Sequence, residues 1–138
     1  MNARRIFMKS VLLSVVATVL PLAVQAAQPA SAPRPRIGLI GSGNVGSNLG
    51  RVWAGKGYAV MFSSKDIEAD RRLAAQVGSG ARAGTPQEAA AFADVLVFAV
   101  PYGALPELGK ALGAALKGKV VIDASNPFPQ RDGAIADE

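Results

Sequence analysis

Three glycines carry the first chemical signal. Gly41, Gly43 and Gly46 stand in the spacing Gly-x-Gly-x-x-Gly, behind the apolar run Ile37-Gly38-Leu39-Ile40. Such a loop, between a buried strand and the start of a helix, fits a dinucleotide pyrophosphate. Gly41 allows the sharp turn, Gly43 lets the backbone approach the phosphates, and Gly46 lets the helix pack close to the sheet. Helix-start N–H groups, including those of Asn44 and Val45, then face an anion along the helix dipole. Ser42 and Asn44 add side-chain donors. In the plainer reading the glycines mark a tight turn with no ligand.

The end of the second predicted strand decides which dinucleotide fits. An NAD site places Asp or Glu about 20 residues after the glycines, on the ribose hydroxyls. Here that place reads Ser63-Ser64-Lys65, with no acid. Two hydroxyls and an ammonium suit the 2′-phosphate of NADP, which an acid would repel. Asp66 follows as a helix cap, its carboxylate turned towards backbone N–H groups. The competing reading makes Ser-Ser-Lys a polar turn only. Two later loops complete a crevice: Val100-Pro101 after the fourth strand and Asn126-Pro127 after the fifth. Prolines also end strands without any ligand. Trp53 reads as core rather than as a stacking platform, and Tyr102 either flanks the nicotinamide or covers the fourth helix.

These residues need a scaffold, and the pattern supplies one. Strand-like segments at 36–40, 59–62, 81–83, 95–100 and 120–123 alternate with helical ones. Helix one runs over 44–56, with Val45, Leu49, Val52 and Trp53 on one face. Helix two runs from Asp66 to Val77, with Ile67, Leu73, Ala74 and Val77 inward and Gly78 ending it. Thr85-Pro86-Gln87-Glu88 is a capping box opening helix three. Leu105, Leu108, Leu112 and Leu116 mark helix four. Alternation with short connections predicts an α/β, doubly wound parallel sheet (Rossmann-like), about five strands in the order 3-2-1-4-5. Residues 36–128 form this domain, 129–138 read as a polar tail without a helical face, and no C-terminal domain follows within the sequence.

Composition narrows the chemistry. Half of the 138 residues are hydrophobic and 18% are charged, as in a folded domain. With no cysteine, disulfides and thiolate metal sites are excluded, and the lack of histidine removes the usual general base and the commonest metal ligand. The net charge of +5 owes three positives to Arg4, Arg5 and Lys9. The scattered remaining bases make no nucleic-acid footprint.

Residues 1–26 read as a signal peptide. A basic start to Lys9 precedes an apolar stretch from Val11 to Val24, which is short for a membrane anchor. Cleavage after Ala26 would leave a Pro/Ala-rich linker over 27–35. Arg4-Arg5-Ile6-Phe7-Met8-Lys9 resembles the twin-arginine motif, which implies export of a folded protein, often with cofactor bound. An ordinary secretory signal and an uncleaved anchor are the other readings. The expected place is periplasmic or secreted, touching the membrane only during export.

Arg36 to Gly46, the Ser63-Ser64-Lys65 turn, Val100-Pro101, and Gly118-Lys119-Val120-Val121-Ile122-Asp123 with Asn126-Pro127 together resemble the N-terminal domain of the NADP oxidoreductase, coenzyme F420-dependent family. The resemblance spans residues 36–128. It implies NADP on the glycine loop, with the 2′-phosphate held by a Ser-Arg pair. Here Ser64 stands at the Arg position and the cation comes one residue later, as Lys65. Family members continue into a part that receives the hydride acceptor. A partner subunit or a second copy is therefore expected to complete the site. The alternative is an exported NADP-binding module or a truncated relic without turnover.

Overall fold

The computed structural model describes residues 33–137, so the leader and most of the linker lie outside the described residues. Short apolar and β-branched runs form β1 (Ile37–Ile40), β2 (Val60–Ser63), β4 (Val95–Phe98) and β5 (Val120–Asp123), and the two residues Arg82–Ala83 form a short β3. Between them run α1 (Asn44–Gly55), α2 (Ile67–Val77), α3 (Pro86–Phe92) and α4 (Leu105–Leu116). The strands form one sheet in the order β3-β2-β1-β4-β5, every neighbouring pair parallel. This is the expected doubly wound, Rossmann-like order.

Strand alternation sends side chains to two cores. Ile37, Leu39, Val60, Phe62 and Val97 pack with Ala54 of α1 and Ala74 of α2. Ile40, Leu96 and Phe98 pack on the other side with Ala89, Ala90 and Ala93 around α3 and Leu112 of α4. Register then sets where the loops leave. Ile40 pairs with Ser63 and Phe98, and Phe98 with Asp123, so four strands end at one level. Every connection that could build a site departs from that rim.

Helix starts are fixed locally. Asp66 caps α2 by accepting from the Ala69 N–H at 2.9 Å. Thr85 and Glu88 form the expected capping box on α3, at 3.2 and 2.7 Å. The face of α1 differs from expectation. Val45 and Val52 are exposed, and the buried residues are Gly46, Gly50 and Ala54. A Cβ on Gly50 would stand 2.2 Å from the Phe62 ring, so the helix lies too close to the sheet for valine. Leu49 and Trp53 flank that seam and are partly buried on the core, as expected for Trp53. The 129–138 stretch also differs from a plain polar tail. Pro129–Asp132 forms a short helix, α5, and Gly133–Asp137 a 3-10 turn.

At the opposite rim Arg36 clamps β1 to β4. Its backbone N–H and guanidinium both donate to the Asp94 carboxylate, at 2.9 to 3.2 Å. The Arg36 side chain, with its backbone N–H, holds the Asp94 carboxyl at about 2, below the ordinary 3.8. A depressed acid stabilises the fold above its unfolded pKa and loses that contribution as pH falls towards the folded value. Asp94→Asn therefore lowers Tm at neutral pH. It also flattens the loss of Tm between about pH 4 and pH 2. Thermal melts across that range check both effects. An equally steep acid limb in the variant would show that the pair contributes nothing.

Candidate functional site

The cleft lies where β1 and β4 part, since the connection after β1 crosses to one face and the connection after β4 to the other. In open α/β sheets ligands bind at such a switch point. Its floor is the Gly41–Gly43 loop, and its far wall is Ala99-Val100-Pro101 with the start of α4. The main cleft has a volume of about 880 Å³ and reaches Ser64 and Lys65 at one end. Beyond Ala99, Val100 and Pro101 it adjoins a smaller hollow of about 210 Å³, which Asn44, Val45 and Asn126 help to line.

The three glycines serve different needs. Gly41 has φ +99°, and a Cβ there would stand 2.3 Å from the Ala99 carbonyl oxygen. A Cβ on Gly46 would meet the Gly41 carbonyl oxygen at 1.9 Å. The fold itself requires both. Gly43 is different: its φ of −64° suits any residue, and a Cβ there would meet no atom within 4 Å. That Cβ would project into the cleft that Gly43 lines. The protein has no internal need for this glycine, whereas a group lying against the loop would.

The start of α1 fits the same group. Gly43 is its N-cap, no side chain caps it, and its first turn holds no acid. The first amides are therefore open to an anion, with the helix dipole adding attraction. The other long helix near the loop, α2, has its own cap in Asp66.

At the Lys65 end of the cleft the structure changes the roles of the serines. The Ser63 hydroxyl is buried and donates to the Leu39 carbonyl at 2.7 Å, so it braces β2 against β1. It offers the cleft no donor, because its one proton goes to that carbonyl and its side chain lies on a covered face of the sheet. Ser64 does line the cleft, and its hydroxyl donates to Asp70 Oδ2 at 2.9 Å while accepting from the Asp66 N–H at 3.1 Å. Ser42 donates to the other Asp70 oxygen. Asp70, in the first turn of α2, is fully buried. Lys65 is exposed at the mouth of the same end.

Thus Gly41, Ser42, Gly43, Ser64, Lys65, Val100 and Pro101 converge on the main cleft, and Asn44, Val45 and Asn126 on its extension. Gly46 and Ser63 stand behind it. Tyr102 sits in a 3-10 turn ahead of α4 and lines neither space. Three residues absent from the sequence-based set matter: Asp70, Phe128 and Arg131. Phe128 and Arg131 close the smaller hollow, with the guanidinium 5.0 Å from the ring centroid. Asp132 anchors them by accepting from the Phe128 N–H at 2.9 Å and the Gly103 N–H at 3.2 Å. The Arg131 guanidinium, then those backbone N–H groups, hold the Asp132 carboxyl well below the usual carboxylate range.

Fold and cleft together define a doubly wound domain of the nucleotide-binding class. Residues 36–127 match the family model described as NADP oxidoreductase, coenzyme F420-dependent. The chain belongs to that family. No curated relative matches the sequence. Among solved structures, a candidate F420-dependent NADP-reductase from Arthrobacter sp. FB24 superposes with TM-score 0.61 at 23% identity. It covers 68% of this chain and 46% of that one. An imine reductase from Myxococcus stipitatus in complex with NADP+ superposes with TM-score 0.60 at 23% identity, covering 70% and 34%. A variant of that enzyme in complex with NAD+ gives 0.61 at 22% identity, covering 71% and 34%. The chain thus spans less than half the length of these structures.

The sorting of the glycines is directly testable. Gly43→Ser leaves stability within about 0.5 kcal/mol of the parent or raises it, because serine is a preferred N-cap. Gly46→Ala lowers stability by about 1–3 kcal/mol or more, as overpacking does. Urea unfolding of both variants checks the contrast, and equal losses would remove the distinction.

Proposed function

We propose that this domain binds NADP(H) and forms the cofactor half of an oxidoreductase. The observation that carries the proposal is Gly43, a glycine the fold does not need, set at an uncapped helix start inside the main cleft. The loop amides and the α1 dipole suit the pyrophosphate. Lys65, exposed beside Ser64, suits the 2′-phosphate, with the neighbouring Asp66 carboxylate engaged in capping α2. Val100, Pro101 and Asn126 lead to the hollow closed by Phe128, and suit the nicotinamide end. A bound nicotinamide supplies the hydride chemistry, and the protein supplies position and exclusion of water. The match of residues 36–127 to the family model described as NADP oxidoreductase, coenzyme F420-dependent, supports this choice.

Placing a hydride acceptor needs a second wall over the nicotinamide. In this proposal that wall comes from a further part of the protein, a partner or a second copy of the chain. The leader belongs to the same reading: the Arg4-Arg5 motif supports export after the cofactor is loaded. A mature N-terminus at Ala27 in an exported fraction would support it. An intact Met1 in the cytoplasm would oppose it.

Calorimetric titration of the protein with NADPH and NADH tests the core claim. NADPH gives the tighter binding. No heat from either sinks the proposal, and equal affinities sink the role of Lys65. Lys65→Glu weakens NADPH by about tenfold to a hundredfold, the range of one hydrogen bond to a charged group, and spares NADH. Gly43→Ser abolishes both heats while the protein stays folded.

A further inference from the structure

Asp70 is a buried acid whose two side-chain partners are both serines that line the cleft. It is fully covered, and among the described residues no salt bridge reaches it. A buried carboxylate is costly unless its hydrogen bonds compensate. Both of its oxygens accept from serine hydroxyls, Ser64 at 2.9 Å and Ser42 at close range. Those serines come from different loops, Ser42 from the glycine loop and Ser64 from the turn after β2. Both line the cleft at the end where Lys65 stands.

A hydroxyl has one proton and two lone pairs. The Asp70 carboxylate takes the proton of each serine, since a charged acceptor makes the stronger bond. For Ser64 it outcompetes the Asp66 carbonyl, which lies further away at 3.3 Å. Towards the cleft Ser42 and Ser64 then have no proton to offer, and Ser64 keeps one lone pair because the other accepts from the Asp66 N–H at 3.1 Å. Lone pairs receive a free ribose hydroxyl and repel a phosphate oxygen. The negative charge behind them acts in the same direction.

We infer that Asp70 is a positioning residue for cofactor choice. Through Ser42 and Ser64 it works against the 2′-phosphate and so limits the preference that Lys65 creates. This rests on the proposed NADP(H) site. Lys65 is the attractive element and Asp70 the opposing one, a combination by which a site sets selectivity as a difference of affinities. The acid sought at the end of β2 by sequence spacing is absent there. An acid is nevertheless present, reaching the same end from α2 through two hydroxyls.

Asp70→Asn keeps the size of the side chain, removes the charge and frees one serine proton for the cleft. Calorimetry on the full chain reads the ratio of NADH to NADPH dissociation constants. The expected result is a rise of that ratio by about tenfold, a shift of the order of one hydrogen bond to a charged group. A merely structural role would weaken both cofactors together and leave the ratio fixed. A folded Asp70→Asn protein with an unchanged or lowered ratio overturns the inference. If that variant does not fold, Lys65→Gln decides with Asp70 untouched. With the attraction gone, the opposing element should make NADH the tighter ligand, and a ratio at or above one overturns the inference. Absence of binding by the unaltered protein would instead overturn the NADP(H) site itself.

Discussion

The approach of α1 to the end of β1 governs the site. Gly46 lies against the Gly41 carbonyl with no room for a methyl group, and Gly50 lies against Phe62 and Leu39 in the same way. These contacts bring the helix start within three residues of the strand end, so its free amides open onto the rim where β4 also ends. Moving the helix outwards by one side chain would keep a doubly wound sheet but withdraw those amides from the switch point. The absence of a capping side chain and of acids in the first turn follows the same logic. A cap would satisfy the very groups that make the site attractive to an anion.

On the proposed reading, the Lys65 end of the cleft works by an opposition rather than by a single contact. Lys65 is a flexible point charge at the mouth, with none of the bidentate fit of an arginine. Beneath it, Ser42 and Ser64 are tied to one buried carboxylate, which also fastens the glycine loop to the turn after β2. Those ties hold two loops from separate strands in one geometry before any ligand arrives. Preorganisation of this kind lowers the ordering cost of binding.

Much of this was legible in the sequence. Alternation, capping signals and the glycine spacing defined the sheet order, the starts of α2 and α3, and the cleft, because each is a local pattern with a local cause. Misreadings arose where the cause lay between elements. Val45 and Val52 follow helical spacing, yet the face of α1 that meets the sheet is the one whose glycines let it approach. Ser63 and Ser64 look alike as neighbours in the sequence. Ser63, the last residue of β2, is covered and bonded to the Leu39 carbonyl, whereas Ser64, just past the strand end, faces the cleft. Asp70 carried a usable signal, for it falls three after Ile67 and three or four before Leu73 and Ala74, inside the predicted inward face. A charged residue in such a stripe asks for a buried partner. Phe128 and Arg131 carried none, since their arrangement depends on Asp132 collecting donors from Gly103 as well as from Phe128.

The two ends of the cleft are unequally furnished. The phosphate and ribose end rests on α1, α2 and the central strands, with Leu39, Phe62 and Val60 fully buried beneath it. The smaller hollow, the proposed nicotinamide end, rests on β5, whose Val120, Val121 and Ile122 are 59%, 45% and 43% exposed, and on the short segment anchored by Asp132. In the proposed NADP(H) site, affinity would come mainly from the first end, where the charges are, and hydride transfer would take place at the second. Binding and turnover are therefore separable properties in this architecture. A partner or further segment that covered the β5 side would alter the chemistry at the nicotinamide without altering which cofactor the other end selects.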